Sequence, residues 1–242
     1  MSAPTPKPRA PTPYTGVDHL EVMREAVNYN RYLLDLVQRH AAGATHVMDF
    51  GAGSGTFAAP CAVLGYDVTA VEPDAALRAS LSAMGIRAVA DAAALPDGTF
   101  DYAYSLNVLE HIAGDVEALR TVRAKLAPGA RLLVYVPAFP LLHTSMDDRV
   151  GHLRRYTRRT LRNSVAAAGF EIEQIRYADS LGFFATLLFK LIDNGSGDVN
   201  RPLLRLYDAV AFPVSRILDS LTHRWFGKNV LLVGRNPGRS AA

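Results

Sequence analysis

Predicted strands and helices alternate along residues 45–137, and this alternation restricts the chain to a small set of folds. Strands are predicted for the short apolar runs 45–50, 66–73, 86–91, 100–107 and 130–137. Helices are predicted at 57–64, 75–84 and 115–129, and each of them ends at a glycine. Strands joined in this way form a parallel sheet that is covered by helices on both faces.

The remaining segments add further elements on both sides of this unit. A helix is predicted at 19–41, and two more strands at 171–178 and 229–235. Residues 181–226, between those strands, are strongly apolar and helical in pattern, with a break at the sequence NGSGD. We predict an α/β, doubly wound fold with a seven-stranded, mostly parallel sheet, helices on both faces, and a helical apolar cap at about 181–228 inserted before the last strand.

The composition indicates one domain, which we expect over residues 14–242. Residues 1–13 contain five prolines and no apolar run, so we expect a disordered tail and no signal peptide. The single cysteine, Cys61, excludes an intramolecular disulfide. The apolar stretch at 181–192 is shorter than the roughly 20 residues that span a bilayer, so we expect a soluble, cytoplasmic protein.

A glycine-rich loop, DFGAGSG at 49–55, follows the first predicted strand. The dinucleotide pattern G-x-G-x-x-G does not fit, because Thr56 stands where the third glycine would follow Gly51. A phosphate-binding P-loop does not fit either, because the loop has no lysine. The pattern that remains is D-x-G-x-G-x-G, with the acidic residue Glu72 at the end of the next strand.

These features resemble the class I S-adenosylmethionine-dependent methyltransferases of the small-molecule type. The resemblance rests on residues 49–55, Glu72, Asp91 and the block 100–111. It covers roughly residues 19–178 and includes a D…GH-RRYT run after the fifth strand, which a subset of these enzymes shares. It implies S-adenosyl-L-methionine as the cofactor and S-adenosyl-L-homocysteine as the product, and no metal site is predicted.

The resemblance also implies a role for each cofactor-binding residue. Asp49 would hold the ammonium group, Glu72 both ribose hydroxyls, and Asp91 the adenine amine, with the Ala92 backbone amide facing the ring. The cofactor-binding residues that we expect are Tyr29, Asp49, Gly51, Ala52, Gly53, Gly55, Glu72, Pro73, Asp91, Ala92, Asn107, Leu109 and His111. Simpler interpretations remain open: a flavin or structural role for the glycine turn, a turn cap at Asp91, and a packed histidine at 111.

Candidate catalytic residues lie in the arginine-rich segment 141–160, which we expect to be irregular. Methyl transfer from a sulfonium needs alignment and, for some acceptors, proton removal. His143 and His152 are suited to that task because an unperturbed imidazole has a pKa near ~6.5, and Asp147 or Asp148 could orient either ring. The alternative is structural: an ion-pair network of Asp147, Arg154 and Arg155 that fixes the loop.

The apolar cap predicts the acceptor class. A helical cover of this composition favours a small hydrophobic acceptor, such as a natural-product, quinone or lipid-linked intermediate. The same residues, 181–226, are also compatible with a peripheral membrane contact or a homodimer contact. One alternative function is methylation of nucleic acid through the arginine-rich segment 149–162, although an (N/D)-P-P-aromatic motif is absent at 107–110. Another is a non-methylating reaction, such as cyclisation, by a protein that binds the same cofactor.

Overall fold

The computed structural model describes residues 22–192, 195, 197 and 200–238, and these residues form a seven-stranded sheet with helices packed on it. The strands are β1 (His46–Phe50), β2 (Asp67–Val71), β3 (Arg87–Val89), β4 (Phe100–Leu106), β5 (Leu126–Pro137), β6 (Glu171–Ala178) and β7 (Asn229–Arg235). Their order is β3-β2-β1-β4-β5-β7-β6. Strand β7 is antiparallel to both of its neighbours, and the other pairs are parallel. The predicted fold class is confirmed.

The α-helices are α1 (Val27–His40), α2 (Ala58–Val63), α3 (Ala75–Ala83), α4 (Asp115–Lys125), α5 (Ser145–Val150), α6 (Arg158–Ala167), α7 (Ser180–Ile192), α8 (Arg201–Leu206) and α9 (Phe212–Thr222). Shorter helical turns lie at Ala92–Ala94, Leu109–His111 and Pro140–Leu142, and a π-helical turn lies at Tyr207–Ala211. Among the residues with a described structure, no helix has both the length and the apolar character needed to cross a membrane.

Two predicted helices and one predicted strand differ from the structure by four residues or more at one end. The predicted helix 19–41 is interrupted at Glu25 and Ala26, and α1 begins at Val27. The predicted helix 115–129 ends at Lys125, because β5 begins at Leu126, four residues before its predicted start. The expected tail at 1–13 lies outside the described residues.

The segment 141–160 was wrongly predicted to be irregular, because it contains α5 and the start of α6. Thr144 and Asp147 form a capping box at the start of α5, and Gly151 ends that helix in the left-handed conformation. The helix has only six residues with few apolar side chains, so hydrophobic periodicity could not reveal it. It places Asp147 and His152 on either side of one short turn.

Helices cover both faces of the sheet. On one face, Leu119 and Val122 of α4 pack with Leu161 and Val165 of α6 against β4, β5 and β7. The helices α1, α2, α3 and α9 share the opposite core, to which α1 contributes the fully buried Leu33. Each fully buried aliphatic side chain of this kind contributes about 1.5–3 kcal/mol through removal from water. The two cores fix the carboxyl edge of the parallel strands, where the predicted site residues lie.

A crevice is expected where β1 and β4 lie side by side, because the chain leaves these strands in opposite directions across the sheet. The loops that follow the two strands touch there. A Cβ atom on Gly51 would lie 2.4 Å from Val108 Cγ2, and Gly51 has a φ of +87°. Glycine is therefore required at this position, both for backbone conformation and for close packing.

The cap is connected to α1 by a buried carboxylate in the π-helical turn. Asp208 accepts hydrogen bonds from the backbone amides of Asn28 and Tyr29, each at 2.8 Å, and its own carbonyl accepts from the Asn28 side chain. It therefore satisfies two amides in the first turn of α1, although it lies about 180 positions away in the sequence.

We expect Asp208→Ala to lower the free energy of unfolding by about 1–2 kcal/mol, because two helix-terminal amides lose their acceptor. Urea denaturation followed by circular dichroism measures this change. The control is Asp35→Ala, on the exposed side of α1. Equal loss in the two variants would contradict the capping role.

Candidate active site

Hydrogen bonds from the glycine loop connect the end of β1 to the end of β2. The amides of Gly51 and Ala52 donate to the Val71 carbonyl at 2.8 and 3.2 Å. Gly53 and Gly55 also have positive φ values, of 54° and 82°, so every second residue from Gly51 to Gly55 has a left-handed backbone conformation. Such a loop brings backbone, rather than side chains, to the edge of the crevice.

Glu72 lies buried at the end of β2, and its carboxylate is held in place by two backbone amides. Gly53 donates to Oε2 at 2.8 Å, and Asp74 donates to Oε1 at 2.9 Å. Each carboxylate oxygen has a second lone pair, so the group can accept further hydrogen bonds without moving. Pro73, which follows it, is exposed at the rim of the crevice. The structure thus presents a preoriented carboxylate beside the glycine loop.

Asp49 is the second buried acid of this region. The Tyr104 hydroxyl donates to its Oδ2 at 2.9 Å. Burial raises the pKa of Asp49 to about 7, and the nearby charge of Glu72 acts in the same direction, whereas the hydrogen bond from Tyr104 opposes the shift. A cationic group bound close to Asp49 would favour the ionised carboxylate.

The raised pKa gives a pH-dependent stability. The native protein keeps the Asp49 proton up to a pH near 7, whereas the unfolded chain releases it near ~4. The native state therefore binds more protons over this interval, and the free energy of unfolding falls as the pH rises from about 4 to about 7.

When the pH is raised from about 5 to about 8, we expect the free energy of unfolding of Asp49→Asn to increase by about 1–3 kcal/mol relative to that of the wild type. A pKa shift of one unit corresponds to roughly 1.4 kcal/mol. The asparagine can still accept a hydrogen bond from Tyr104 but does not titrate. Urea denaturation at the two pH values measures the change, with Asp35→Asn as the control. An equal stability difference at both pH values would contradict a raised pKa.

The side chain of Asp91 is exposed and caps the turn Ala92–Ala94. Its Oδ1 accepts from the Ala93 amide at 2.9 Å, and Ala92 is buried. The turn cap, which was the simpler interpretation of Asp91, therefore describes its contact in this structure. A contact of Asp91 with adenine stays a prediction.

The segment after β4 brings Asn107 and Tyr29 together. The Asn107 side-chain amide donates to the Tyr29 hydroxyl at 3.3 Å, so α1 reaches over the carboxyl edge of the sheet. Asn107 has a φ of 55°, and among the described non-glycine residues Phe139 and Asp179 also have positive φ values. Asn107 directly follows β4, Phe139 lies two positions after β5, and Asp179 directly follows β6. Strained backbone concentrated at one sheet edge is typical of functional sites.

Asp147 of α5 forms a hydrogen-bonded group with His152 and Arg155, which follow that helix. His152 Nδ1 lies 2.6 Å from Asp147 Oδ1, and the Arg155 guanidinium donates to both oxygens of Asp147 at 2.8 and 2.9 Å. Burial acts to raise the pKa of Asp147, but the hydrogen bonds from His152 and Arg155 outweigh it and hold that pKa well below its usual range. The carboxylate is therefore ionised and fixes the orientation of the imidazole.

The predicted ion-pair network is confirmed in part. Asp147 and Arg155 are paired, but Arg154 is not a member, and that part of the prediction was wrong. Its guanidinium donates to the Ala113 carbonyl and lies 3.3 Å from Asp115 Oδ1, because it extends towards the start of α4. The other predicted base, His143, contacts the exposed Asp148 at 2.8 Å and lies with that residue rather than with Asp147.

Glu110, for which no role was predicted, lies against the two histidines of this region. Glu110 is fully buried, and neither of its oxygens has a hydrogen-bond partner among the described residues. Its Oε1 lies 3.8 Å from His152 Nε2, and the rings of His111 and His152 are 4.7 Å apart. Burial raises the pKa of Glu110 to about 8. Burial, together with the neighbouring His152, lowers the pKa of His111 to about 4.

A doubly wound sheet of this order, with a glycine loop after β1 and an acid at the end of β2, defines the architecture of the class I S-adenosylmethionine-dependent methyltransferases. The chain belongs to the methyltransferase-domain family, whose sequence pattern matches residues 22–175. The cofactor predicted from the sequence, S-adenosyl-L-methionine, is that of the family. The buried acids Asp49 and Glu72 and the backbone of the glycine loop fit a ligand that carries an ammonium group and a ribose.

One curated relative is the ubiquinone biosynthesis O-methyltransferase of Caulobacter sp. (strain K31), which is 35% identical over 98 residues. The match covers 36% of this chain and 39% of that relative's length.

Solved structures show the same fold at low identity. A possible histamine N-methyltransferase from Thermotoga maritima has a TM-score of 0.62 and 16% identity, with 90% of this chain and 94% of that chain covered. The (4+2)-cyclase SpnF has a TM-score of 0.58 and 19% identity, with 95% and 99% covered. The geranyl diphosphate C-methyltransferase of Streptomyces coelicolor has a TM-score of 0.59 and 12% identity, with 85% and 77% covered.

Proposed function

We propose that this protein transfers a methyl group from S-adenosylmethionine to a small, hydrophobic acceptor. The observation that carries the proposal is that two groups of polar residues, each held in a fixed orientation, lie at one edge of the sheet. The Glu72 carboxylate is held beside the glycine loop, and the Asp147–His152 pair approaches Glu110 in the segment after β4. The contact between Gly51 and Val108 joins the loops that carry these sites.

The cofactor contacts follow from the chemistry of the residues present. Asp49 would pair with the ammonium group, Glu72 would accept from the ribose hydroxyls, and Asp91 with Ala92 would face the adenine. Tyr29, Asn107, Leu109 and His111 would lie along the methionine side. When bound, S-adenosylmethionine supplies an electrophilic methyl group on a sulfonium.

His152 is the residue best placed to accept a proton. Its Nδ1–H donates to the ionised Asp147, which fixes the tautomer and leaves the lone pair on Nε2 facing Glu110. Arg155 and the Thr144 amide keep the Asp147 carboxylate in place. A hydroxyl or amine that approaches Nε2 would lose its proton to that nitrogen as it becomes a nucleophile.

An aromatic cluster near this pair supports a hydrophobic acceptor. Phe139 stacks on Tyr177 with ring centroids 4.6 Å apart and meets Phe183 of α7 at 5.4 Å, and Phe183 contacts Phe226 at 5.6 Å. Phe139 directly follows Ala138, whose carbonyl accepts from Arg155. The backbone next to the aromatic cluster is thus hydrogen-bonded to the arginine that holds Asp147. Aromatic walls beside a few polar groups are typical of small-molecule sites.

The outer surface of the cap suggests how such an acceptor arrives. Large apolar side chains are exposed along α7, α8, the π-helical turn, α9 and the residues after α9: Phe184, Leu188, Leu191, Leu203, Leu206, Val210, Val214, Ile217, Leu218, Leu221 and Trp225. Contiguous apolar surface of this kind suits a lipid surface or a second copy of the chain.

The arginines 158, 159, 162 and 224 line a groove with Tyr177 and Trp225, which suits an anionic amphiphile. A lipid-linked intermediate with an anionic group fits both features, and a lipid-soluble quinone fits the apolar surface. The name of the Caulobacter relative agrees with a quinone-type acceptor.

The alternatives have less support. The arginine-rich run 149–162 does not form one basic face, because Arg155 is buried against Asp147 and Arg154 pairs with Asp115. This distribution disfavours a nucleic-acid acceptor. A cyclisation is the second candidate, because the fold is shared with SpnF. The Asp147–His152 pair favours proton transfer and hence methylation.

Two assays test the proposal together. Calorimetric titration with S-adenosylhomocysteine should show one bound molecule per chain. Incubation with methyl-labelled S-adenosylmethionine and a panel of hydrophobic quinols and phenols should transfer label into the organic phase. Binding without transfer to any of these acceptors, together with ring closure of a diene-bearing substrate, would favour cyclisation. Absence of cofactor binding would overturn the proposal.

A further inference from the structure

We propose that Glu110, His111 and His152 form a binding site for a divalent transition-metal ion of the zinc type. One ligand atom from each of these side chains lies within 4.8 Å of the other two. Glu110 Oε1 lies 3.8 Å from His152 Nε2. In a tetrahedral zinc site, with bonds of about 2.0–2.1 Å, neighbouring ligand atoms are roughly 3.3 Å apart. The ligand atoms would therefore have to approach one another by up to about 1.5 Å to complete the coordination.

The buried carboxylate is the observation that points to a cation. Glu110 is fully buried, and neither oxygen has a hydrogen-bond partner in the part of the chain that the structure describes. A carboxyl group buried without a partner is either kept neutral by a proton or ionised by a bound cation, and a metal ion that binds here would displace the proton. The guanidinium of Arg155 does not fill that role, because it is bonded to Asp147 and to the Ala138 carbonyl.

The surroundings of His152 match those of a metal-bound histidine. Its Nδ1 is hydrogen-bonded to the Asp147 carboxylate at 2.6 Å, which leaves Nε2 on the side of Glu110. Histidine ligands commonly donate their other ring N–H to a carboxylate, which fixes the tautomer and increases ligand basicity. Asp147 is itself fixed by Arg155 and Thr144, so the orientation of the imidazole is determined before a cation binds.

The donor set selects the class of metal. Two imidazoles and one carboxylate are the ligands of catalytic zinc sites that leave a position open. The same set also holds other first-row divalent ions, such as Fe²⁺, Mn²⁺ and Co²⁺. An acceptor hydroxyl at the open position would release its proton to solvent more readily, since the bound cation lowers its pKa. In that case His152 would be a metal ligand and not the proton acceptor. Within this inference, only the effect of the cation on the acceptor hydroxyl rests on the proposed function.

The test measures metal uptake by the full chain, without a polyhistidine tag, after treatment with a chelator. Equilibrium dialysis against Zn²⁺, with the bound metal measured by mass spectrometry, should give about one equivalent per chain. Co²⁺ should give the visible absorption bands of a low-coordinate site that contains imidazole. Glu110→Gln keeps the shape of the side chain and should reduce Zn²⁺ affinity at least ten-fold, and Asp147→Asn should reduce it by about 10–100-fold.

His46→Gln is the control, because His46 is an exposed histidine paired with Asp67 at the amino end of β1. It should bind Zn²⁺ like the wild type, and thermal denaturation checks that each variant is folded. Failure of the wild type to take up Zn²⁺ and Co²⁺, or equal uptake by folded Glu110→Gln, overturns the inference. Neither result affects S-adenosylhomocysteine binding, so failure of this site is distinguishable from failure of the proposed function.

Discussion

Replacing His152 with alanine is expected to lower the rate of methyl transfer by about 10²–10⁴-fold while leaving S-adenosylhomocysteine affinity within about three-fold of the wild type. The imidazole is held by Asp147 with Nε2 facing Glu110, in the segment after β4 and not at Glu72 or the glycine loop. Its removal takes away either the proton acceptor or a metal ligand, and both losses act on turnover.

The measurement is label transfer to the best hydrophobic acceptor of the panel, combined with calorimetric titration of the same preparation. His46→Gln again serves as the control and should retain turnover. If the alanine variant loses cofactor affinity but retains its rate per bound cofactor, His152 has a structural role in the loop. Restoration of turnover by added imidazole would further support a direct role.

Glu72→Ala is expected to weaken S-adenosylhomocysteine binding by ten-fold or more, because hydrogen bonds to a charged group contribute roughly 1.5–3 kcal/mol. The carboxylate is already oriented by the amides of Gly53 and Asp74, so no ordering is needed when the ribose hydroxyls arrive. Asp49→Ala is expected to have a similar effect through loss of the partner of the ammonium group.

Because the alanine at 72 also leaves two amides without an acceptor, Glu72→Gln provides a second variant that keeps one side-chain oxygen. We expect it to bind more weakly than the wild type and more tightly than Glu72→Ala. Glu117→Ala, on the exposed side of α4, is the matched control. Unaltered affinity in Glu72→Ala and Asp49→Ala would place the cofactor outside this crevice.

The sequence was sufficient to predict the sheet and the glycine-rich loop at its carboxyl edge, for a physical reason. Buried parallel strands are short apolar runs, and the glycines at 51, 53 and 55 have the positive φ values that only glycine adopts at little cost. The acid at the end of β2 follows directly from that strand. These signals are local in sequence, so one chain suffices to identify them.

Contacts between distant segments could not be predicted in the same way. Glu110 was not anticipated, because its environment depends on α5 and the turn that brings His152 from 42 positions away. Asp208 was not anticipated either, since its capping of α1 depends on a π-helical turn in the cap. The pairing of Arg154 with Asp115 shows the same limitation, because adjacent arginines in one run have different partners in the fold. The sequence signal for the histidine pair was limited to His111 in LEH at 109–111 and His152 in GH at 151–152.

The most direct test of the central claim is a crystal structure of the protein with S-adenosylhomocysteine bound. The proposed function predicts that the nucleoside lies against the backbone of Gly51–Gly55, with both ribose hydroxyls within hydrogen-bond distance of the Glu72 carboxylate and the sulfur directed towards Asn107 and His111. A complex in which the ribose lies elsewhere, with Glu72 bonded only to Gly53 and Asp74, would contradict it.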